Sequence, residues 1–193
     1  MNFANINQQV KSIVTIVLAS FIILGLETSC GKSLHEIMLL GFESDAELDL
    51  LKWNCHTLYS LSDLHATNGT HSLKLDIFPS DYPGLAFSPS VKDWSYYGTL
   101  SFDIYNPSEQ TEVISIRIDD IKKKPPFADR YNGHLAINKG MNHIAIPLTK
   151  LQTSGTGRYL DLAHIYAVYF FVSNPTTKKS FYIDNIKISN NHS

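Results

Sequence analysis

Apolar and polar residues alternate in a series of short segments that occupies residues 41–190 of this chain of 193 residues. In Leu100–Ile104 and again in Ile114–Ile118 every second residue is apolar. A period of two places alternate side chains on opposite faces of a β-strand. Turn residues separate the segments, and none of the longer ones shows the period of an amphipathic helix. About nine or ten such strands are typical of two packed antiparallel sheets. The sequence therefore predicts an all-β fold, an antiparallel β-sandwich of the jelly-roll type.

An apolar run near the N-terminus predicts a targeting segment. Residues 13–26 are apolar except for Thr15, Ser20 and Gly25, and the basic side chain of Lys11 precedes them. A membrane-spanning helix needs about 20 apolar residues, whereas the apolar part of an export signal needs roughly 7–15. We therefore expect an N-terminal helix in residues 1–29 that is either a signal peptide or a retained membrane anchor.

Small residues directly before Cys30 resemble the processing site of bacterial lipoproteins, in which the cysteine becomes the lipidated first residue of the mature protein. The sequence departs from that pattern at Glu27, because leucine is usual three residues before the cysteine, and Leu26 lies one place too early. Lipidation at Cys30 would anchor the protein in a membrane of the bacterial cell envelope, facing the periplasm or the exterior. The competing interpretation is a disulfide between Cys30 and Cys55.

The remaining composition indicates one domain. We expect a linker at residues 30–40 and a single sandwich domain at residues 41–190. The net charge of the chain is −2, which argues against a nucleic-acid partner because such proteins present a basic face. The chain also lacks the polybasic cluster that would attract it to an anionic membrane surface.

Six segments carry a resemblance to a known family when they are taken together and in order. They are residues 93–107, 116–120, 129–133, 140–148, 161–165 and 181–186. Their order and spacing resemble the carbohydrate-binding modules of family 11, which belong to the galactose-binding-like jelly-roll group. The resemblance covers residues 41–188.

The resemblance implies a glycan site on one sheet. In that family the concave sheet binds a β-glucan chain, and the Arg-x-Asp of a central strand matches Arg117 and Asp119 here. An arginine offers a planar fork of donors, carboxylates accept from hydroxyls, and aromatic rings supply apolar faces for sugars. The candidate ligand-binding residues are Asp103, Tyr105, Arg117, Asp119, Tyr131, Asn132, Tyr169 and Phe171.

Structural interpretations of the same residues stay open at this point. Arg117, Asp119 and Asp103 could form a salt-bridge ladder across exposed strands. A loop could cover Tyr169 and Phe171 as a small second core. Trp53 and Trp94 are expected to be core residues or loop anchors.

The resemblance also implies one structural calcium ion. In related modules a calcium ion ties the first strand to the last, and Glu43 and Asp184 occupy the matching positions. Calcium binds 6–8 oxygens, and backbone carbonyls could complete the shell. The alternative is that both carboxylates cap loop amides through hydrogen bonds.

Motifs of enzymes are missing from the sequence. The histidines show no short metal-ligand spacing, and the chain has no phosphate-binding loop and no nucleophile elbow. A jelly-roll lyase or hydrolase is a minor alternative. A glycosidase would need two carboxyl groups at a set separation. The sequence predicts non-catalytic binding of a polysaccharide or envelope glycan. The rival prediction is a structural or assembly protein that docks another protein through a broad apolar patch.

Overall fold

The computed structural model describes residues 36–190. It contains eleven strands, the short helix α1 at Asp45–Leu48, and 3₁₀ turns at Phe127–Asp129 and Leu148–Lys150. The strands are β1 Glu36–Leu40, β2 Leu51–Cys55, β3 Thr57–Ser62, β4 Ser72–Ile77, β5 Gly84–Phe87, β6 Thr99–Asn106, β7 Glu112–Asp119, β8 Tyr131–Ile137, β9 Gly140–Pro147, β10 Ala167–Phe171 and β11 Lys179–Ser189. The predicted all-β sandwich is confirmed.

The strands form two antiparallel sheets. The six-stranded sheet has the order β3-β4-β11-β6-β9, and β1 pairs with β11 beyond the segment that β4 covers. The five-stranded sheet has the order β2-β5-β10-β7-β8. The consecutive strands β6 and β7 therefore lie in different sheets.

The core lies between the two sheets and is built from the alternating residues that the sequence singled out. Leu100, Phe102 and Ile104 of β6 are buried, and so are Ile114, Ile116 and Ile118 of β7. The rings of Phe102 and Phe170 meet edge to face at 5.0 Å between centroids. Burial of each such side chain contributes about 1.5–3 kcal/mol to stability.

The two tryptophans have different environments. Trp94 is completely buried and donates its indole N–H to the carbonyl of Val91 at 2.9 Å. Trp53 lies on β2, and 38% of its surface is exposed. The expectation of a core or anchoring role is confirmed for Trp94 and wrong for Trp53.

The structure corrects the linker expected over residues 30–40, because residues 36–40 form β1. This strand pairs with the C-terminal half of β11, from Ile186 to Ser189. The predicted segment at 1–29 and Cys30 lie outside the described residues. Within residues 36–190 no helix is long and apolar enough to cross a membrane.

Candidate functional site

A cleft of about 860 Å³ lies on the outer face of the five-stranded sheet. The strand register explains its floor. Tyr169 of β10 pairs with Arg117 of β7, and Arg117 pairs with Asn132 of β8. On the other side of Tyr169, Ala86 of β5 lies between it and Trp53 of β2. These residues share the face opposite to the buried isoleucines.

Aromatic side chains line much of the cleft. The rings of Trp53 and Tyr169 meet edge to face at 5.6 Å, and those of Tyr82 and Phe171 meet at 6.1 Å. Phe127 lines the cleft from the loop between β7 and β8, and 62% of its surface is exposed. The cleft thus offers rings with accessible apolar faces rather than a second closed core. The interpretation of Tyr169 and Phe171 as a covered core is wrong, because both are only half-buried and line the cleft.

A buried ion pair lies beside the ring of Tyr169. The Nε and Nη2 atoms of Arg117 donate to the two carboxylate oxygens of Asp119 at 2.7 and 2.5 Å. The guanidinium also stacks on the ring of Tyr169, with Cζ 4.3 Å from the centroid. Burial raises the pKa of Tyr169 although the nearby charge of Arg117 opposes this shift. The hydroxyl of Tyr169 is therefore present as a neutral donor and acceptor.

The arrangement of this pair corrects the ladder interpretation. Arg117 and Asp119 belong to the same strand and are 7% and 3% exposed. Asp103 is not part of the pair. An exposed ladder across neighbouring strands is therefore wrong for these three residues.

Asp103 and Tyr105 lie on the outer face of the six-stranded sheet, whereas Arg117 lies on the outer face of the five-stranded sheet. The prediction that they share a face with Arg117 is wrong, because β6 and β7 belong to different sheets. The loop of residues 63–71 covers them, with His65 stacked on Tyr105 at 3.4 Å between centroids. Thr67 donates its hydroxyl to Asp103 at 2.5 Å.

The predicted ligand-binding residues Tyr131 and Asn132 are also separated. Tyr131 pairs with Ile118 and faces the core side of β8, where it packs against core residues. Asn132 faces the cleft and donates its side-chain amide to the hydroxyl of Ser154 at 2.9 Å. Of the predicted ligand-binding residues, the cleft therefore unites Arg117, Asn132, Tyr169 and Phe171, with Asp119 held beneath Arg117.

Glu43 and Asp184, the predicted calcium ligands, both accept hydrogen bonds from the loop of residues 63–71. Glu43 accepts from the backbone N–H groups of Thr70 and His71, each at 3.0 Å. Oδ2 of Asp184 accepts from the N–H groups of Thr67 and Asn68 at 2.6 and 2.9 Å. These are the contacts of the capping alternative. The described residues contain no group of three or more His, Cys, Asp or Glu side chains that could hold a metal ion. The calcium ion stays a prediction that the structure does not test.

Several residues of the cleft escaped the sequence analysis. They are Trp53, Tyr82, Phe127 and Arg130. The sequence predicts a core residue or loop anchor at Trp53, and Tyr82 and Phe127 lie in Pro-containing loops that no alternation pattern covers. Aromatic residues next to Pro83 and Pro126 are the signal that could have drawn attention to these loops.

A clamp around Arg158 fixes one wall of the cleft. The guanidinium binds both oxygens of Asp120, at 2.6 and 3.1 Å, and also binds Asp129 at 2.9 Å. Burial by itself would raise the pKa of Asp120, but hydrogen bonds from Arg158 and from the amide of Asp161 hold it below its ordinary value. The clamp thus joins the end of β7 to the turn that carries Phe127 and precedes Arg130. Sequence reasoning missed it because Arg158 follows a Gly- and Thr-rich loop with no periodic pattern.

Comparison of the sequence with protein-family models and with curated proteins found no match. Solved structures share the fold at low identity. An exo-β-agarase matches with a TM-score of 0.65 and 21% identity over 81% of this chain, which corresponds to 26% of the agarase. The chain therefore spans about a quarter of that enzyme.

Two carbohydrate-binding modules match over nearly their whole length. The family 11 module from Clostridium thermocellum, solved in complex with a β-1,3-1,4-mixed-linked tetrasaccharide, has a TM-score of 0.63 and 20% identity; the match covers 79% of this chain and 94% of the module. A family 30 carbohydrate-binding module has a TM-score of 0.59 and 15% identity, with 83% of this chain and 90% of the module covered. The chain therefore has the jelly-roll fold of carbohydrate-binding modules, as its sequence predicts.

Proposed function

We propose that the chain binds a polysaccharide without cleaving it, in the cleft of the five-stranded sheet. The observation that carries this proposal is the row of Trp53, Tyr169, Arg117 and Asn132 across the floor of the cleft. The aromatic rings of Trp53 and Tyr169 lie at one end of this row, and the polar groups of Arg117 and Asn132 lie at the other. A sugar has the same two kinds of surface, since its C–H groups present apolar faces and its hydroxyls donate and accept hydrogen bonds.

The physical properties of the cleft support this ligand class. Trp53 and Tyr169 offer large contact areas at a small cost in side-chain entropy, because each ring has few rotatable bonds. Asn132 can both donate to and accept from hydroxyls. A protein-docking surface would need a broad apolar patch, whereas here buried charge and amide groups interrupt the rings.

The carboxylates in and near the cleft support a non-catalytic role, because among the described residues Asp81 alone lines the cleft with a carboxylate. A glycosidase needs one carboxylic acid that protonates the leaving group and a second carboxylate at a set separation. Asp119 does not line the cleft, and both its oxygens accept hydrogen bonds from Arg117, so the cleft does not present a pair of free carboxyl groups. The fold shared with two carbohydrate-binding modules agrees with a binding role.

The proposal predicts that Trp53→Ala weakens glycan binding without unfolding the protein. Loss of one partly exposed ring should reduce affinity about tenfold, or ~1.4 kcal/mol. The measurement is titration calorimetry with those polysaccharides that bind the purified full chain in an array, which should include mixed-linked β-glucan and agarose. Tyr96→Ala is the matched control, since Tyr96 is 81% exposed and does not line the cleft. Equal affinity in the two variants, or no binding of any glycan by the unmodified protein, would contradict the proposal.

We further propose that the protein is exported and attached to the bacterial cell envelope through Cys30. The apolar run at residues 13–26 and the small residues before Cys30 support this. Cys30→Ser should move the protein from the membrane fraction to the soluble fraction and abolish labelling with a fatty-acid analogue. If neither changes, lipidation at Cys30 is the wrong account.

A further inference from the structure

The cleft contains an arginine whose charge is not paired within the described residues. Arg130 follows the turn of Phe127–Asp129 and lines the cleft. Its Nε atom is buried and has no hydrogen-bond partner, and no described carboxylate lies within 4.0 Å of the guanidinium. The guanidinium instead lies near the ring of Phe127, with Cζ 5.5 Å from the centroid.

The other two arginines of the chain show that Arg130 is unusual here. Arg117 binds Asp119 through two hydrogen bonds, and Arg158 binds Asp120 and Asp129 through four. A partly buried cation without a partner is unfavourable, because burial removes water and supplies no compensating charge. In this fold Arg130 is partly buried and unpaired at the wall of the cleft.

Charged groups of both signs lie around Arg130, but no described carboxylate forms an ion pair with it. Lys124 lines the same cleft, and the charge of Asp119 is already taken up by Arg117. Asp81 also lines the cleft but makes no ion pair with Arg130. Burial lowers the pKa of Arg130 and the neighbouring Arg117 lowers it further, whereas the carboxylate of Asp119 opposes these shifts only in part. An anion bound next to Arg130 would offset both the loss of hydration on burial and the repulsion from Arg117.

We propose that the glycan of this cleft carries an anionic group, either a carboxylate or a sulfate ester, and that Arg130 binds it. This inference rests on the proposed function, since it specifies the ligand of the same cleft. The guanidinium presents its donors in a plane and in a fork, which matches the paired oxygens of a carboxylate or a sulfate. Phe127 beneath the guanidinium would hold the fork in place.

The test uses two pairs of polymers in which only the anionic group differs. One pair is homogalacturonan with free carboxylates and the same polymer fully methyl-esterified. The other pair is a sulfated galactan and its chemically desulfated form. We expect the full chain to bind the charged member of one pair at least tenfold more tightly at low salt, and the pair that shows this identifies the group. Added salt should reduce the preference, because it screens partly exposed charges.

Variants assign the preference to Arg130. Arg130→Gln should reduce affinity for the charged polymer about 10- to 100-fold, the effect of losing hydrogen bonds to a charged group, and leave the uncharged polymer unaffected. Arg130→Lys should keep part of the preference, since it retains the charge without the fork. Lys139→Gln removes an exposed charge outside the cleft and should change nothing. Thermal unfolding of each variant shows whether the fold is intact.

Two results would overturn the inference. One is equal affinity for both members of both pairs, and the other is an unchanged preference in a folded Arg130→Gln variant. If Trp53→Ala still weakens binding of an uncharged glycan, the proposed function stands and only the anionic ligand is wrong. If no polymer binds at all, both proposals fail.

Discussion

At the scale of single residues, the Arg117–Asp119 pair has a different environment from the one its sequence pattern indicates. Alternation placed both side chains on the face opposite the buried isoleucines, which suggested an exposed ion pair. Such pairs contribute only about 0–1 kcal/mol to stability. In the structure the side chains of Arg117 and Asp119 are 9% and 4% exposed and are joined by two hydrogen bonds. The pair therefore supports the floor of the cleft as well as any ligand above it.

Arg117→Ala should therefore lower both stability and affinity, whereas the sequence alone predicted an effect on affinity only. Removal of one partner leaves the carboxylate of Asp119 buried without compensation, which costs about 3–5 kcal/mol. Loss of charge-assisted hydrogen bonds to a glycan should reduce affinity about 10- to 100-fold. Denaturant unfolding and calorimetric titration measure the two effects.

The double variant Arg117→Ala/Asp119→Ala is the control for this prediction. It removes both charges, so its loss of unfolding free energy should be smaller than the sum of the losses caused by Arg117→Ala and Asp119→Ala alone. A single Arg117→Ala variant as stable as the unmodified protein would show that the pair is not buried in solution.

At the scale of elements, the loop of residues 63–71 is fixed on the six-stranded sheet by carboxylates. Glu43 and Asp184 accept hydrogen bonds from its backbone, and Asp103 accepts from Thr67. Asp184 of β11 pairs with Asp103 of β6, and directly after this pair a bulge in β11 interrupts the register between the two strands. Asn185 lies in the bulge and has a φ of 56°. The loop covers the face that includes Asp103 and Tyr105, so the two sheets present different outer surfaces.

Gly69 lies in this loop where a side chain would meet the carboxylate of Glu43 and displace it from its hydrogen bonds with Thr70 and His71. Its φ is +75°, and a Cβ atom there would lie 2.3 Å from the Glu43 carboxyl carbon. Gly69→Ala should destabilise the protein more than Gly157→Ala, which has a similar φ of +66° and open space around it. The control should cost about 1–2 kcal/mol for the left-handed backbone alone. Equal unfolding free energies for the two variants would show that Glu43 does not pack against Gly69.

At the scale of the whole molecule, the sequence predicts strands better than it predicts their arrangement. The alternation in Leu100–Ile104 and Ile114–Ile118 identified two strands and their buried faces, because periodicity depends only on local geometry. It could not show that β6 and β7 lie in different sheets, because the sheet to which a strand belongs depends on contacts between residues far apart in sequence. Asp103 and Tyr105 were misplaced relative to Arg117 for this reason.

The cleft was predictable only in part for the same reason. Arg117, Tyr169 and Phe171 lie on strands, and their outward direction follows from alternation. Phe127 and Arg130 lie in or beside loops whose conformation depends on the clamp of Arg158 with Asp120 and Asp129. Neither residue lies in a segment where apolar and polar residues alternate, so the unpaired charge of Arg130 became visible only in the structure.

The measurement that tests the central claim most directly is a map of the residues that a bound glycan perturbs. Nuclear magnetic resonance spectra of the isotopically labelled protein would be recorded during titration with an oligosaccharide of the polymer that binds best. We predict that the largest shifts fall on the indole of Trp53 and on Tyr169, Asn132 and Arg130. Shifts confined to Tyr105 and Asp103 on the opposite sheet, or no shifts at saturating glycan, would contradict the account.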